Sequence, residues 1–342
     1  MPLIKLGASL ARALIWLALS LVLAWGAAAL WIDGPSARWL AGLLAAGYVA
    51  LSLALVIRIR VFRGGAVAAL LPFAAVLAWW LSIPASNDRD WLPDVARPPV
   101  AEINGNLVTI RNIRNFEYRT SDADFVEHWD TRSYDLDRIV GMDLFLSYWG
   151  PTLIAHTIVS WEFSDGQHLA VSIETRKEKG EEYSAVLGFF RQFELYYVVA
   201  DERDVIGVRA NHRGEQIYLY RLRAPPDRAR ALLVHYLVEI NRLARQPAWY
   251  NALTQSCTTT IEHNVKAIGV AMAFDWRIFA NGRLDELLYE VGSINNTLRF
   301  PELRSRSDIT AKVKAAGAAP DFSQRIREGL PERPPRNPLP ER

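Results

Sequence analysis

Cys257 is the only cysteine in the chain, and it stands in Gln255-Ser256-Cys257-Thr258-Thr259-Thr260, where a polar turn gives way to a helical pattern. A thiol in the first turn of a helix meets unsatisfied backbone N–H groups and the positive end of the helix dipole, both of which favour thiolate. A single cysteine cannot close an internal disulfide, which leaves three uses: a small buried hydrophobe, a metal ligand or a nucleophile. A nucleophile needs a base, and the base needs something to orient it. The residues that offer both are His156 and Glu174.

These two belong to consecutive strand-like runs, 153 to 163 and 167 to 176, joined by Ser164-Asp165-Gly166. A three-residue loop ending in glycine suits a type I turn followed by a left-handed residue and a bulge, which pairs Phe163 with Gln167. Counting back sets Trp161 against Leu169, Val159 against Val171, Thr157 against Ile173, and His156 against Glu174. A two-residue Asp-Gly loop would scramble the apolar face, so alternation favours the longer one. In the favoured register one face is apolar, and the other carries His156, Ser160, Ser172 and Glu174. Directly opposed Cβ atoms lie about 4.5–5.5 Å apart, so the Glu174 carboxylate reaches one imidazole nitrogen and leaves the other to take a proton. A solvated cross-strand His/Glu pair fits the same spacing.

The other histidines make poorer partners. His263 is six residues beyond Cys257 on the same predicted helix, roughly 240° around it. His168 flanks the hairpin turn, His212 sits in Asn211-His212-Arg213-Gly214, and His128 has no neighbour at ligand spacing. No metal site is expected, and no cofactor, since neither a ligand set nor a glycine-rich phosphate loop is present. A net charge of +2, with no basic patch among interleaved aromatics, argues against nucleic acid as a partner.

Around these residues the pattern reads as mostly strands, then helices. Strands are expected at 107–110, 116–119, 144–148, 198–200, 205–209 and 217–222. Pro225-Pro226-Asp227 opens an amphipathic helix with Leu232, Leu233, Tyr236, Leu237, Ile240 and Leu243 as its stripe, and a second helix runs from about Cys257 to Ala273. That order defines an α+β domain over 101–300. A linker covers 86–100, and 301–342 reads as a charged, proline-rich and largely disordered tail.

Residues 1–85 differ in kind. Asp33 is their only acid, and three apolar runs, 9–32, 39–57 and 65–84, each have about the length that crosses ~30 Å of hydrocarbon. Lys5 and Arg12 flank the first run, and Arg58, Arg60 and Arg63 fill the loop between the second and third. By the positive-inside rule both regions are cytoplasmic, which puts the domain after the third run on the opposite side. A cleaved signal peptide would leave two further runs unexplained.

Several ordered motifs resemble the Lnb-type N-terminal periplasmic domain family. They are Arg114-Asn115-Phe116-Glu117-Tyr118-Arg119 with Asp124-Phe125, Arg132-Ser133-Tyr134-Asp135-Leu136-Asp137, Ser147-Tyr148-Trp149 and Ile154-Ala155-His156-Thr157. Ser172-Ile173-Glu174-Thr175-Arg176-Lys177-Glu178-Lys179-Gly180-Glu181 and Tyr250-Asn251-Ala252-Leu253-Thr254-Gln255-Ser256-Cys257-Thr258-Thr259 complete the set, over about residues 100 to 270. Ser256 is the visible departure, standing where the resemblance leads one to expect asparagine.

The resemblance implies a permuted papain-like (NlpC/P60-like) fold held at a bacterial inner membrane, with histidine on a strand and cysteine opening a helix. It implies acyl transfer from the diacylglyceryl group of a lipoprotein to an N-terminal amine, through a thioester on the protein. Carried over residue by residue, Cys257 is the nucleophile, His156 the base and Glu174 the residue that orients it. The Thr258 backbone is an expected oxyanion donor, and Arg176, on the Glu174 face, an expected ligand for a substrate headgroup. Membrane lipids or a lipoprotein are the implied partners. A papain-like hydrolase of peptides, cell-wall amides or lipid esters shares the first half-reaction, and a tethered module in which Cys257 merely packs shares none of it.

Overall fold

A computed structural model of the chain describes residues 2–60, 68 and 70–335. Its contacts divide into two units. The first joins the N-terminal 85 residues to the short segment Ser184–Gln192, and the second holds the rest.

In the first unit, α1 (Pro2–Ile32), α2 (Arg38–Arg60) and α3 (Leu70–Ser82) form from the three apolar runs. Two stretches, Ser9–Ile32 and Arg38–Ile57, are long and apolar enough to cross a membrane. Helix α3 is described over 13 residues, about 20 Å at 1.5 Å per residue. Part of the third expected span, 65–67 and 69, lies outside the described residues, as does Arg63. Asp33, the one acid of this stretch, holds the unit together: it accepts from Trp80 Nε1 at 2.7 Å, Gln192 Nε2 at 2.7 Å and the Arg191 N–H at 3.2 Å. Phe190 packs with Ala29 and Trp80, and its ring stacks 6.1 Å from that of Trp25.

The second unit is built on an eight-stranded sheet. Its strands are β1 (Val100–Asn104), β2 (Leu107–Arg114), β5 (Trp129–Asp135), β6 (Ile139–Tyr148), β7 (His156–Phe163), β8 (His168–Arg176), β9 (Glu194–Ala200) and β10 (Gln216–Arg221). The order is β1-β2-β9-β8-β7-β6-β10, with β5 also on β2; a two-residue ribbon, β3 (Glu117–Tyr118) with β4 (Phe125–Val126), stands apart. The β7–β8 hairpin has the register expected from its turn: Trp161 faces Leu169, Val159 faces Val171, and the Phe163 N–H donates to Gln167 O at 3.0 Å. Gly166 takes φ +85°, the left-handed conformation its bulge demands.

Both faces of this hairpin are covered. The apolar face lies under α6 (Pro226–Arg245), whose expected stripe is buried in full. Trp161 there is wholly enclosed, edge-on to Tyr236 at 5.2 Å and donating to Ala229 O. On the opposite face Ile158 and Ala170 share a core with Val205, Ile206, Ile309, Val313, Phe322 and Ile326.

That second core corrects two expectations. Residues 205–209 belong to two short helices, α4 (Glu202–Val205) and α5 (Gly207–Asn211), rather than to a strand. Asp201 accepts the Arg203 N–H and starts the turn, and burial of Val205, Ile206 and Val208 overrides their β-propensity. The segment after 300 is not a disordered tail through its described length. Helices α8 (Phe300–Ser307), α9 (Thr310–Ala316) and α10 (Phe322–Arg325) bury their few apolar residues on the sheet. The Ile309 N–H donates to Ile217 O at 2.9 Å, which closes the edge of β10. Arg327 reaches buried Asp143 and Glu202, and Arg333 reaches Asp143 and Glu162. Only 336–342 of the tail lie outside the described residues.

Candidate active site

Helix α7 (Cys257–Ala267) packs across β7 and β8. Its start is set by a reciprocal cap: Ser256 Oγ accepts the Thr259 N–H, and Thr259 Oγ1 accepts the Ser256 N–H at 2.9 Å. Ser256 thus serves as the N-cap, which places Cys257 at the first helical position. The approach to it is fixed as well. Tyr250 N–H donates to Phe193 O, Leu195 N–H donates to Ala248 O, and Asn251 Oδ1 accepts the N–H groups of Leu253 and Thr254. The helix is shorter than its apolar pattern suggested, because Gly269 takes φ +80° after it.

His156 is the first residue of β7, opposite Ser147 of β6. The β7–β8 ladder ends at Ile158 and Ser172, so His156 and Glu174 are joined through side chains alone. His156 Nε2 lies 2.6 Å from Ser172 Oγ and 3.6 Å from Glu174 Oε1, and Ser172 Oγ donates to Glu174 Oε1 at 2.7 Å. With its own proton directed at the carboxylate, the Ser172 hydroxyl accepts from Nε2–H. The imidazole therefore carries its proton on Nε2 and has Nδ1 left for sulfur.

The sulfur is tuned accordingly. Burial pushes the Cys257 thiol up, but the hydrogen bond and charge of His156, with the Thr157 N–H and the Thr258 hydroxyl, outweigh it and bring the thiol down to about 7. Burial and the Arg209 charge pull His156 down, yet the neighbouring Cys257 and Glu174 leave it raised. Burial would raise Glu174 too, and His156, 3.6 Å away, together with the Arg209 guanidinium holds it well below the usual carboxylate range. Arg209 donates to Glu174 at 3.0 Å and to Glu215 at 3.1 Å, and Glu215 in turn accepts from Ser147. A buried charge network thus keeps Glu174 ionised behind the histidine.

Sequence reasoning missed Asn281. Its side chain clasps the residue before His156, accepting the Ala155 N–H at 2.9 Å and donating to Ala155 O at 2.6 Å. The same Nδ2 lies 2.6 Å from Thr258 Oγ1 and 3.6 Å from Cys257 Sγ. One amide therefore ties the start of the histidine strand to the start of the cysteine helix. Gly282 makes the clasp possible: its N–H donates to Leu153 O at 3.0 Å, and a Cβ there would fall 2.1 Å from Thr152 O. Asn281 is 24 residues beyond the cysteine in an irregular segment, so no periodicity marks it. Ser172 did appear on the expected polar face, but as a bystander.

Arg176 is not a headgroup ligand. Its side chain is buried, Nε donates to Val95 O, and its terminal nitrogens donate to Asn87 and Ala96 O. The guanidinium also stacks over Trp91 at 4.2 Å and Tyr196 at 5.0 Å, so it pins residues 87–96 to the sheet. Of the other histidines, His128 pairs with Asp130 on the surface. Among the described residues no cluster of three metal-ligating side chains occurs.

Residues 125–282 match the family model of the Lnb N-terminal periplasmic domain, and the chain therefore carries an Lnb-type periplasmic domain. The match takes in His156, Ser172, Glu174, Cys257 and Asn281, while β1, β2 and the helices after Gly282 lie outside it. No curated protein and no solved structure gives a significant match to the chain. Together with the two apolar helices of membrane length, the domain fits a membrane-associated periplasmic module.

Proposed function

We propose that this protein is a membrane-anchored thiol acyltransferase that works through a thioester on Cys257 and draws its acyl groups from a lipoprotein or phospholipid. The observation that carries the reading is a thiol held at about 7 beside an imidazole whose far nitrogen is fixed by Ser172 and Glu174. Buried cysteines that only pack are pushed the other way. The His-strand, Cys-helix order supports a permuted papain-like arrangement. With residues 65–84 as a third crossing, the basic residues Lys5, Arg12, Arg58, Arg60 and Arg63 support a cytoplasmic N-terminus and a periplasmic domain.

In the first half-reaction the Cys257 thiolate attacks an ester carbonyl, an S–C bond forms, and the ester C–O bond breaks as His156 gives its proton to the leaving alcohol. In the second, an amine attacks the thioester carbonyl, an N–C bond forms, the C–S bond breaks, and His156 takes a proton from the amine. The N–H groups of Cys257 and Thr258, at the start of α7, are the proposed donors to the tetrahedral oxyanion. Incubation of the full chain with a diacylated lipoprotein, followed by mass analysis, tests the reading. A lyso, N-acylated product that vanishes in Cys257→Ala is expected. Release of free fatty acid alone would make the protein a thiol hydrolase, and full activity of Cys257→Ala would remove the site altogether.

A further inference from the structure

Large apolar side chains exposed on the second unit are concentrated where the catalytic segments meet. Leu153 and Ile154 stand just before His156, Leu253 just before Cys257, and Phe274, Trp276 and Phe279 just before Asn281. Phe274 is 81% exposed, and its ring lies 6.0 Å from that of Phe279. These segments are one place in space. The 153–155 segment is clasped to Asn281 and Gly282, Asn281 touches Cys257 Sγ, and the turn Trp276–Ile278 packs against α7. A soluble domain gains nothing by holding three aromatic rings in water. Phenylalanine and tryptophan displayed beside one another are what an interfacial element presents to lipid.

The chain itself supplies the partner. It has two helices of membrane length. We infer that Phe274, Trp276 and Phe279, with Leu153 and Ile154, form a docking surface that lies in the interfacial layer of a lipid bilayer and opens the mouth of Cys257 onto it. The occupant is the lipid surface rather than a protein partner or a second copy of the chain. The inference deepens the acyl-transfer reading by naming where the donor enters, but its test does not depend on turnover.

Because Cys257 is the only cysteine, Cys257→Ala gives a background in which one introduced thiol reports one position. In that background Phe274→Cys and Phe279→Cys, and separately Val126→Cys and Val238→Cys as exposed apolar controls, are labelled with an environment-sensitive fluorophore. Each full chain is then placed in phosphatidylcholine/phosphatidylglycerol vesicles with or without spin-labelled lipid. The label at 274 and 279 is expected to shift to the blue and to lose emission, more to lipid labelled near the headgroup than to lipid labelled deep in the chain. The controls should lose none. Equal emission at 274, 279 and the controls would overturn the docking surface while leaving acyl transfer standing. Quenching with no turnover by the unsubstituted chain would do the reverse.

Discussion

Replacing His156 by alanine should change how Cys257 reacts in a way that depends on pH and reverses sign. With His156 present the thiol titrates at about 7. Without it, burial is no longer outweighed by the largest of the lowering effects, and the thiol returns at least to its ordinary 9.0. At pH 7 about half of the native thiol is then thiolate, against about 1% in the variant, a factor of about 50. A thiolate of lower pKa is also a weaker nucleophile. With a Brønsted slope of 0.4–0.5 over about two pH units, the native sulfur loses about eightfold in intrinsic rate toward a disulfide. The net advantage of the native chain is about sixfold at pH 7 and about twelvefold at pH 5, and it becomes a disadvantage of about sevenfold at pH 10. The two curves cross near pH 8 by this arithmetic, and further toward alkali if the variant thiol rises above its ordinary value.

An aromatic disulfide that releases a coloured thiol, followed by stopped flow from pH 5 to pH 10, reads this directly, since no other cysteine contributes. The midpoint of each profile is independent of how the substitution changes access to the sulfur. If the native midpoint lies near 9, or if His156→Ala leaves it unmoved, Cys257 is not activated by His156. The hairpin and the helix then do not form one catalytic site.

Ser172→Ala removes the hydroxyl between His156 Nε2 and Glu174 and leaves those two 3.6 Å apart. Loss of a hydrogen bond to a charged partner, about 1.5–3 kcal/mol, should slow thioester formation about 10- to 150-fold, read by trapping with an acyl-donor probe; an unchanged rate would make Glu174 the direct partner. Asn281→Asp puts a carboxylate where an amide stood 3.6 Å from sulfur, and the alkylation midpoint should move from about 7 toward 9. Arg327→Met takes from buried Glu202 its ion-pair partner, while Asp143 keeps Arg333, and should cost about 3–5 kcal/mol in denaturant unfolding. The same variant has a pH signature. Burial would raise Glu202, but the Arg327 and His168 charges, with hydrogen bonds from Arg327 and Ser160, bring it from 4.5 to about 2. A lowered carboxylate contributes stability above its unfolded value and loses it as the pH falls from about 4.5 through about 2, so Arg327→Met should flatten the acid limb of the stability curve.

What the sequence made legible follows from local geometry. The Ser164-Asp165-Gly166 loop fixes one register, alternation chooses it over its rival, and that register alone brings His156 and Glu174 to the same end of one face. The α6 stripe was equally plain, because one continuous helix buries it. Long-range burial decides the elements that local pattern does not. Val205 to Arg209 looks like a strand until the core that encloses it comes from residues 309 to 326, more than a hundred positions away. The arginines of the last segment look like solvated charge until Asp143, Glu162 and Glu202 are seen waiting in the sheet. Arg176 looked available because its partners are mainly backbone carbonyls, which carry no residue-type signal.

Asn281 shows how the same limit touches the chemistry. A cysteine at a helix start and a histidine at a strand start are separate devices, and neither the hairpin register nor the helix cap positions one against the other. Asn281 does so by bonding to both backbone groups of Ala155 while its Nδ2 reaches Thr258 and the sulfur. If the amide is a structural clasp, Asn281→Ala should lower stability by about 1–3 kcal/mol, because the buried Ala155 N–H loses its acceptor. If it also sets the distance between sulfur and imidazole, the same variant should lose the depressed thiol midpoint even at temperatures where it stays folded. A clasp alone predicts the first loss without the second, and thiol titration of the folded variant beside its melting curve separates them.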